Sequence, residues 1–481
     1  MKYDIILRNG IIIDGTGAPR FAGDVAIDAD RIAAIGNLAS ASAERDIDVG
    51  GKILAPGFID AHTHDDGALL SVDGMTPKIS QGVTTVIAGN CGLSLAPLKF
   101  SAPPPAPFTL LGGRENYRFE RFEDYVGELR RLGTRTNAAL LVGHTTLRRR
   151  VMPSLDRAAN ADEIARMQAE VESAMLAGAF GISTGLDYAP ALASSTDEVK
   201  ALAAAAARLG GHYVTHTRNY FERMEEALEE AIDIASHARA KLVISHHQVT
   251  GRDNFGKSGA TLERFDAAQR DIDIAWDVYP YAASSTVLRL DRCDLGLRIL
   301  ITWSDSFPEM VNRDLRDIAR DWNCSERTAA MRLLPAGAVY FQLDEADVRR
   351  ILAHPRSMIG SDGLPHDKHP HPRLWGTFPR VLGFYARELG LFALEEAVFR
   401  MTGLTATEFG IDRRARLAAG HFADIVVCDS DTVADRATFE HPTEASAGID
   451  VVMVNGAIVW QNGCPTKARP GTVLRPRAFS P

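Results

Sequence analysis

Between residues 58 and 362 the sequence repeats one local unit, a short Val/Ile/Ala-rich run followed by a longer amphipathic segment. Eight such runs are legible: Phe58–His64, Thr84–Asn90, Ala138–His144, Gly178–Gly185, Tyr213–Thr217, Lys241–His246, Ile272–Tyr279 and Ser357–Asp362. Short, continuously apolar runs suit strands covered on both faces, and the segments between them are long enough for crossover helices. The clearest of those helices is expected over Asp162–Ala177, where Ile164, Met167, Val171 and Met175 recur on one face. Eight strand–helix units in series imply an α/β chain closed into a (β/α)8, TIM-like barrel.

The two ends of the chain follow another grammar. Tyr3–Arg8, Ile11–Ile13, Asp24–Ile27 and Arg31–Ile35 are short apolar runs separated by turns such as Asn9-Gly10 and Asp14-Gly15. The pattern returns in Ala423–Asp429, Val451–Val454 and Ala457–Trp460. Residues 1–57 and 413–481 are therefore expected to form one small composite β-sandwich, with the barrel spanning 58–412. Residues 284–354 are too many for a single crossover, so an inserted subdomain is expected after the seventh strand, over the barrel mouth. Pro103-Pro104-Pro105 marks a further loop after the second strand.

Composition narrows the class of partner. A net charge of -9 offers no general attraction for nucleic acid or anionic lipid, and Arg148, Arg149 and Arg150, the one dense basic run, reads as a solvated loop. No apolar stretch is long enough to span a membrane, and strand-like sequence begins at Tyr3, so neither membrane insertion nor a cleaved leader is expected. Cys91, Cys293, Cys324, Cys428 and Cys464 are scattered and odd in number, which suits reduced thiols in a cytoplasm.

Barrels of this kind do their chemistry at the C-terminal ends of the strands. Here the first strand ends in His62-Thr63-His64, where strand alternation would point both imidazoles the same way. The second ends in Cys91, the fifth in His216, the sixth in His246-His247 and the eighth in Asp362. One of His246 and His247 must face away from the other. Imidazoles with a thiolate suit zinc rather than magnesium or calcium, which prefer oxygen. Bound zinc lowers the pKa of its water to about 7. Asp362 is then placed to accept that proton and pass it to a leaving nitrogen. His144 is expected to hydrogen-bond in the wall. His212 and His237 are expected to be structural, and His366, His369 and His371 to stiffen a loop.

Pro56-Gly57-Phe58-Ile59-Asp60-Ala61-His62-Thr63-His64 together with Ser361-Asp362-Gly363 resembles the amidohydrolase superfamily. Asn90-Cys91-Gly92, Gly181-Ile182-Ser183-Thr184-Gly185-Leu186, Ser245-His246-His247 and His371-Pro372-Arg373-Leu374-Trp375-Gly376 are similar to the N-acyl-D-amino-acid deacylases, or D-aminoacylases, within it. The resemblance implies one tight zinc on Cys91, His216 and His246, and a second, weaker site at His62, His64 and Asp362, with Asp362 the catalytic base. It implies Arg373 and Tyr279 against the substrate's α-carboxylate, with Tyr188 and Ser285 lining the pocket. Relatives often carry lysine where this chain has Gln248, which bears on how that carboxylate is held. Many superfamily members bridge two metals through a lysine on the fourth strand; none lies between Lys99 and Lys200.

The expected activity is hydrolysis of the linear amide of a small-molecule N-acyl-D-amino acid. A cyclic-amide hydrolase or a deaminase on the same barrel is the alternative, and a non-catalytic scaffold the third class. The complete ligand set speaks against the scaffold. Arg289 and Arg292 sit where the chain should enter the mouth-covering insertion. Deacylases acting on N-acyl-D-glutamate carry an arginine matching Arg292, so a preference for an acidic side chain is expected if Arg292 faces the substrate rather than Asp291 or Asp294.

Overall fold

A computed structural model describes residues 2–476. The expected boundaries at residue 1 and at 477–481 lie outside the described residues. Eight parallel strands form the barrel: β1 (Phe58–Asp60), β2 (Val83–Ala88), β3 (Asn137–Leu140, resuming at Val142–Gly143), β4 (Gly181–Gly185), β5 (His212–His216), β6 (Leu242–Ile244), β7 (Ile274–Val278) and β8 (Ser357–Ile359). The ring closes between β8 and β1 through Ala61 N–H to Ile359 O at 3.1 Å and a parallel bridge from Thr63 to Gly363.

Alternation along the strands builds two apolar layers. Ile59, Ile87, Ala139, Val214, Val243, Ala275 and Met358 fill the barrel interior, and Leu404, Phe409 and Ile411 plug its lower end. Their neighbours Val86, Ala138, Ile182, Tyr213, Leu242, Ile244, Ile274, Trp276 and Ile359 pack outward against the helices. A filled barrel cannot pass substrate through its axis, so the open mouth is the place left for a site.

The helices form where the apolar spacing places them. The clearest runs Ala161–Ala177: Asn160 accepts the Glu163 N–H, Glu163 returns a bond to the Asn160 N–H, and Gly178 ends the helix at φ 109°. This capping box with a left-handed stop satisfies orphan backbone groups at both ends. One expectation about surface charge fails. Arg148 lies on the helix His144–Val151, fully buried, with Nη1 2.6 Å from Glu198, so the Arg148–Arg150 run is a helix end with one inward arginine rather than a solvated loop.

Strands from both termini share one continuous nine-stranded sheet, in which Ile53–Pro56 pairs antiparallel with Ile425–Cys428. The long strand Lys2–Ile12 shifts register between Leu7 and Gly10, pairing with Ser42–Asp48 before the shift and with Ile53–Pro56 after it. Leu7, Ile12, Val25, Ile32, Leu54, Ile425 and Met453 then share one core.

After β7 the chain makes a three-stranded antiparallel sheet, ordered Ser284–Val287, Ala336–Phe341, Arg298–Ser304, with helices Leu315–Asp321 and Glu326–Leu333 closing a separate core. The end of the expected insertion behaves differently. Glu345–Ala353 is the barrel helix between β7 and β8, and Val348, Ile351 and Leu352 belong to the barrel's outer core. Among the described residues no helix is long and apolar enough to cross a membrane.

Candidate metal centre

Two groups of metal-competent side chains meet at the barrel mouth and share one thiol. His62, His64, Cys91 and Asp362 form the first and Cys91, His216 and His246 the second; within each, ligand atoms lie within 4.8 Å of one another, and all six residues are buried. Cys91 Sγ is 3.3 Å from His62 Nε2 and 3.5 Å from His246 Nε2, and His216 Nδ1 is 2.9 Å from His246 Nε2. Asp362 Oδ1 is 3.2 Å from His64 Nε2 and 3.5 Å from His62 Nε2.

The backbone brings these groups together by leaving regular strand geometry. Cys91, His246 and Asp362 adopt φ of 52°, 35° and 50°, in the left-handed region that non-glycine residues seldom occupy. In β6 the inward residue is Val243, so simple alternation would send His246 outward. The left-handed turn at His246 carries it into the mouth instead. His247 is left to pack edge-to-face with Phe265 and to bond Thr261 Oγ1 at 2.8 Å, away from the site. His62 and His64 both face Asp362, but β1 ends at Asp60, so the turn that follows it aims them rather than strand alternation.

Charge is arranged to favour ionised ligands. Burial opposes a charge on Cys91, yet the His62 and His246 imidazoles hold its thiol well below the usual range. Burial likewise opposes a charge on Asp362, and Arg373 Nη1, 2.8 Å from Oδ2, with His64 keeps its carboxyl well below the ordinary value. His64 is lifted to about 9, burial being outweighed by Asp362 and Cys91. A thiolate, imidazoles and a carboxylate, buried and convergent, are a donor set that fits zinc.

Asp277 was not visible as a functional residue in the sequence beyond being an acid inside an apolar strand. It is buried in β7, with Oδ2 3.3 Å from His62 Nδ1 and Oδ1 accepting the His246 N–H at 3.0 Å. One carboxylate thus orients two ligand residues. Lys78, also unforeseen, is fully buried and donates to Asp60 at 2.8 Å and to Ser361 Oγ at 2.6 Å, while Asp60 Oδ1 accepts the Ser361 N–H at 2.7 Å. This bridge ties the β1 and β8 ends, and with them His62 and Asp362.

Tyr188, Gln248, Tyr279, Ser285 and Arg292 line the cavity beside the metal-competent groups, with Tyr220, Leu110 and Asp187. Tyr188 is 3.0 Å from Thr286 Oγ1, and Tyr279 donates to Gln248 Oε1 at 2.6 Å. Arg373 is fully buried behind the cavity wall, 4.7 Å over the Tyr279 ring, and donates to Ser285 O at 3.0 Å. Arg292 pairs with neither Asp291 nor Asp294; its Nη2 is 3.3 Å from Asp187 Oδ2. Asp187 also pairs with Arg289 and approaches His216 Nε2 at 3.8 Å; burial raises its carboxyl, but these neighbours pull it down to about 2.

The remaining histidines stay out of the centre. His144 bonds Glu198 at 2.8 Å, His212 bonds Phe180 O and Glu408 O, His237 lies on the helix Met224–Ala238, His369 bonds Phe439 O and His371 bonds Ala283 O. His366 lies in the loop after β8, within reach of Gly67 and Gly112.

Comparison with known proteins places this geometry. The profile of the Amidohydrolase family matches residues 45–303 and 318–460. A D-aminoacylase of Alcaligenes xylosoxydans xylosoxydans is 54% identical over 98% of this chain and 97% of its own. A D-aminoacylase structure described as having a binuclear metal centre with one-metal activation and second-metal attenuation superposes with a TM-score of 0.96 at 53% identity, covering 98% of this chain and 100% of that one. The N-acyl-D-glutamate deacylase of Bordetella bronchiseptica, solved with zinc and a phosphonate mimic of the tetrahedral intermediate, matches at 0.94 and 45% identity, over 99% and 100% of the two chains.

Proposed function

The chain belongs to the Amidohydrolase family, and from that premise we propose that it is a zinc-dependent hydrolase of N-acyl-D-amino acids, releasing a carboxylate and the free D-amino acid. The observation that carries this reading is the pair of ligand groups sharing Cys91, with Asp362 at their edge and the cavity opening beside them.

Cys91, His216 and His246 would hold the tight zinc, and His62, His64 and Asp362 a second, weaker one. When bound, zinc supplies Lewis acidity that polarises the amide carbonyl and makes water acidic enough to attack at neutral pH. Asp362, ionised and facing the cavity, accepts the proton of the attacking water and returns it to the amide nitrogen as the C–N bond breaks. Asp277 fixes which nitrogen His62 presents. Tyr279, Tyr188 and Ser285 present hydroxyls from the wall, and Arg373 meets the α-carboxylate from beneath Tyr279, in exchange for part of its pairing with Asp362. Gln248, bonded to Tyr279, contributes a neutral amide there. Arg292 is the wall residue on which side-chain preference turns.

The test is release of free amine from N-acetyl and N-formyl amino acids of both enantiomers by the zinc-loaded protein. Turnover of the D series with no ammonia is expected. Cys91→Ala should lose tight zinc and activity together. Asp362→Asn should keep the tight zinc and lose kcat by orders of magnitude, because an amide cannot shuttle a proton. Full zinc content in the first variant or near-normal turnover in the second would overturn the assignment, and ammonia as the product would point to a deaminase.

A further inference from the structure

Arg292 is almost wholly buried, and its surroundings leave it one anion within ion-pair distance. Its guanidinium lies 5.0 Å from the Tyr340 ring centre and 5.5 Å from that of Phe221, and its Nε has no hydrogen-bond partner. Among the described residues Asp187, at 3.3 Å, is the one carboxylate within ion-pair distance, with Asp291 acting on it from farther away. Arg289 shares the same Asp187 oxygen and is further satisfied by Asp291 at 2.6 Å. Two guanidiniums and two carboxylates therefore close into a charge-balanced cluster on the cavity wall, with Asp187 in the turn just before Tyr188 and His216 Nε2 at 3.8 Å on its other side.

We propose that Asp187 is the residue that sets which side-chain charge this pocket accepts, by occupying Arg292 from within. The proposal rests on the reading of the site as one for N-acyl-D-amino acids and deepens it. With Asp187 in place, Arg292 is satisfied before substrate arrives, so a neutral side chain can be bound without stranding a buried cation. An acidic side chain that reaches Arg292 must share it with Asp187, placing two carboxylates on one guanidinium, and juxtaposed like charges are an effective means of rejecting a partner. Arg292 by itself would favour N-acyl-D-glutamate; Arg292 with Asp187 favours uncharged side chains. Asp187 acts through Arg292 and is a positioning residue for specificity.

The experiment measures kcat/KM of the zinc-loaded wild type, Asp187→Asn, Asp187→Glu and Asp187→Asn/Arg292→Met on N-acetyl-D-glutamate, N-acetyl-D-glutamine and N-acetyl-D-leucine. Titration calorimetry of D-glutamate and D-glutamine, and zinc content, are measured in parallel. Asp187→Asn should raise the glutamate-to-leucine ratio about tenfold or more. Asp187→Glu should hold the ratio near wild type, and Arg292→Met in the double variant should abolish the gain. A purely structural role would lower all three substrates together and leave the ratio fixed, which would overturn the proposal, as would a gain that survives loss of Arg292. If the wild type hydrolyses none of the three, the substrate reading fails. The D-glutamate to D-glutamine affinity ratio still reports on Asp187, and a ratio indifferent to Asp187→Asn would refute its role independently.

Discussion

Replacing Asp277 by asparagine isolates the physical role of a residue that touches no substrate. The carboxylate accepts from two donors at once, the His246 N–H at 3.0 Å and His62 Nδ1 at 3.3 Å. An amide of the same shape has one acceptor and one donor, so whichever way it turns, one N–H faces another N–H. If the amide oxygen stays on His246, His62 can bond the amide only by giving up its Nδ1 proton, and the proton then sits on Nε2, the nitrogen 3.3 Å from Cys91 Sγ that faces the metal-competent group. If it turns to His62, the backbone of His246 loses its acceptor. Losing one charge-assisted bond in a buried site costs about 1.5–3 kcal/mol. Outer partners of ligating histidines typically change metal affinity about 10–100-fold, equivalent to about 1.4–2.7 kcal/mol. The two estimates agree, so Asp277→Asn should weaken the zinc that depends on His62 by one to two decades while leaving the fold intact. Competition with a chromophoric chelator, alongside circular dichroism, measures this. An affinity within about threefold of wild type would refute the reasoning, since that is below 1 kcal/mol.

The pair Arg148–Glu198 should govern acid stability. Glu198 is fully buried, with Arg148 Nη1 at 2.6 and 2.7 Å and His144 at 2.8 Å, and although burial raises its carboxyl these partners bring it down to about 2. A depressed carboxylate contributes stability above its unfolded value and loses it as pH falls through the folded value. Glu198→Gln should therefore cost about 3–5 kcal/mol near neutrality, with the gap to wild type closing below about pH 4.5; urea midpoints compared near pH 7 and near pH 3 would show it, and a gap independent of pH would exclude it. Arg373→Met should lower kcat/KM by about 2–5 kcal/mol if the guanidinium meets the α-carboxylate. Because Arg373 also holds Asp362 low, the acid limb of the pH–rate profile should move to higher pH; loss under about threefold with an unmoved limb would place the clamp elsewhere.

Much of this site is legible because it is written in local pattern. Eight apolar runs separated by amphipathic segments specify eight strands, and reading what stands at each run's end yields His62, His64, Cys91, His216, His246 and Asp362, the residues the folded chain brings within ligand distance. The pattern holds because strand burial and helix amphipathicity depend on neighbours a few residues away. Local pattern did not determine which of His246 and His247 turns inward, since a left-handed φ at His246 reverses the alternation. It could not place Arg148, read as solvated yet paired with Glu198 fifty residues on. Nor could it find Asp277 between His62 and His246, or Asp187 on Arg292, pairings that span 215 and 105 residues. A buried charge is tolerable only where a partner meets it, and that partner is supplied by barrel closure and by the fold of the mouth-covering sheet. Which residues could bind a metal was therefore a property of the sequence. Which nitrogen each presents, and which charge the pocket leaves unsatisfied, belongs to the tertiary structure.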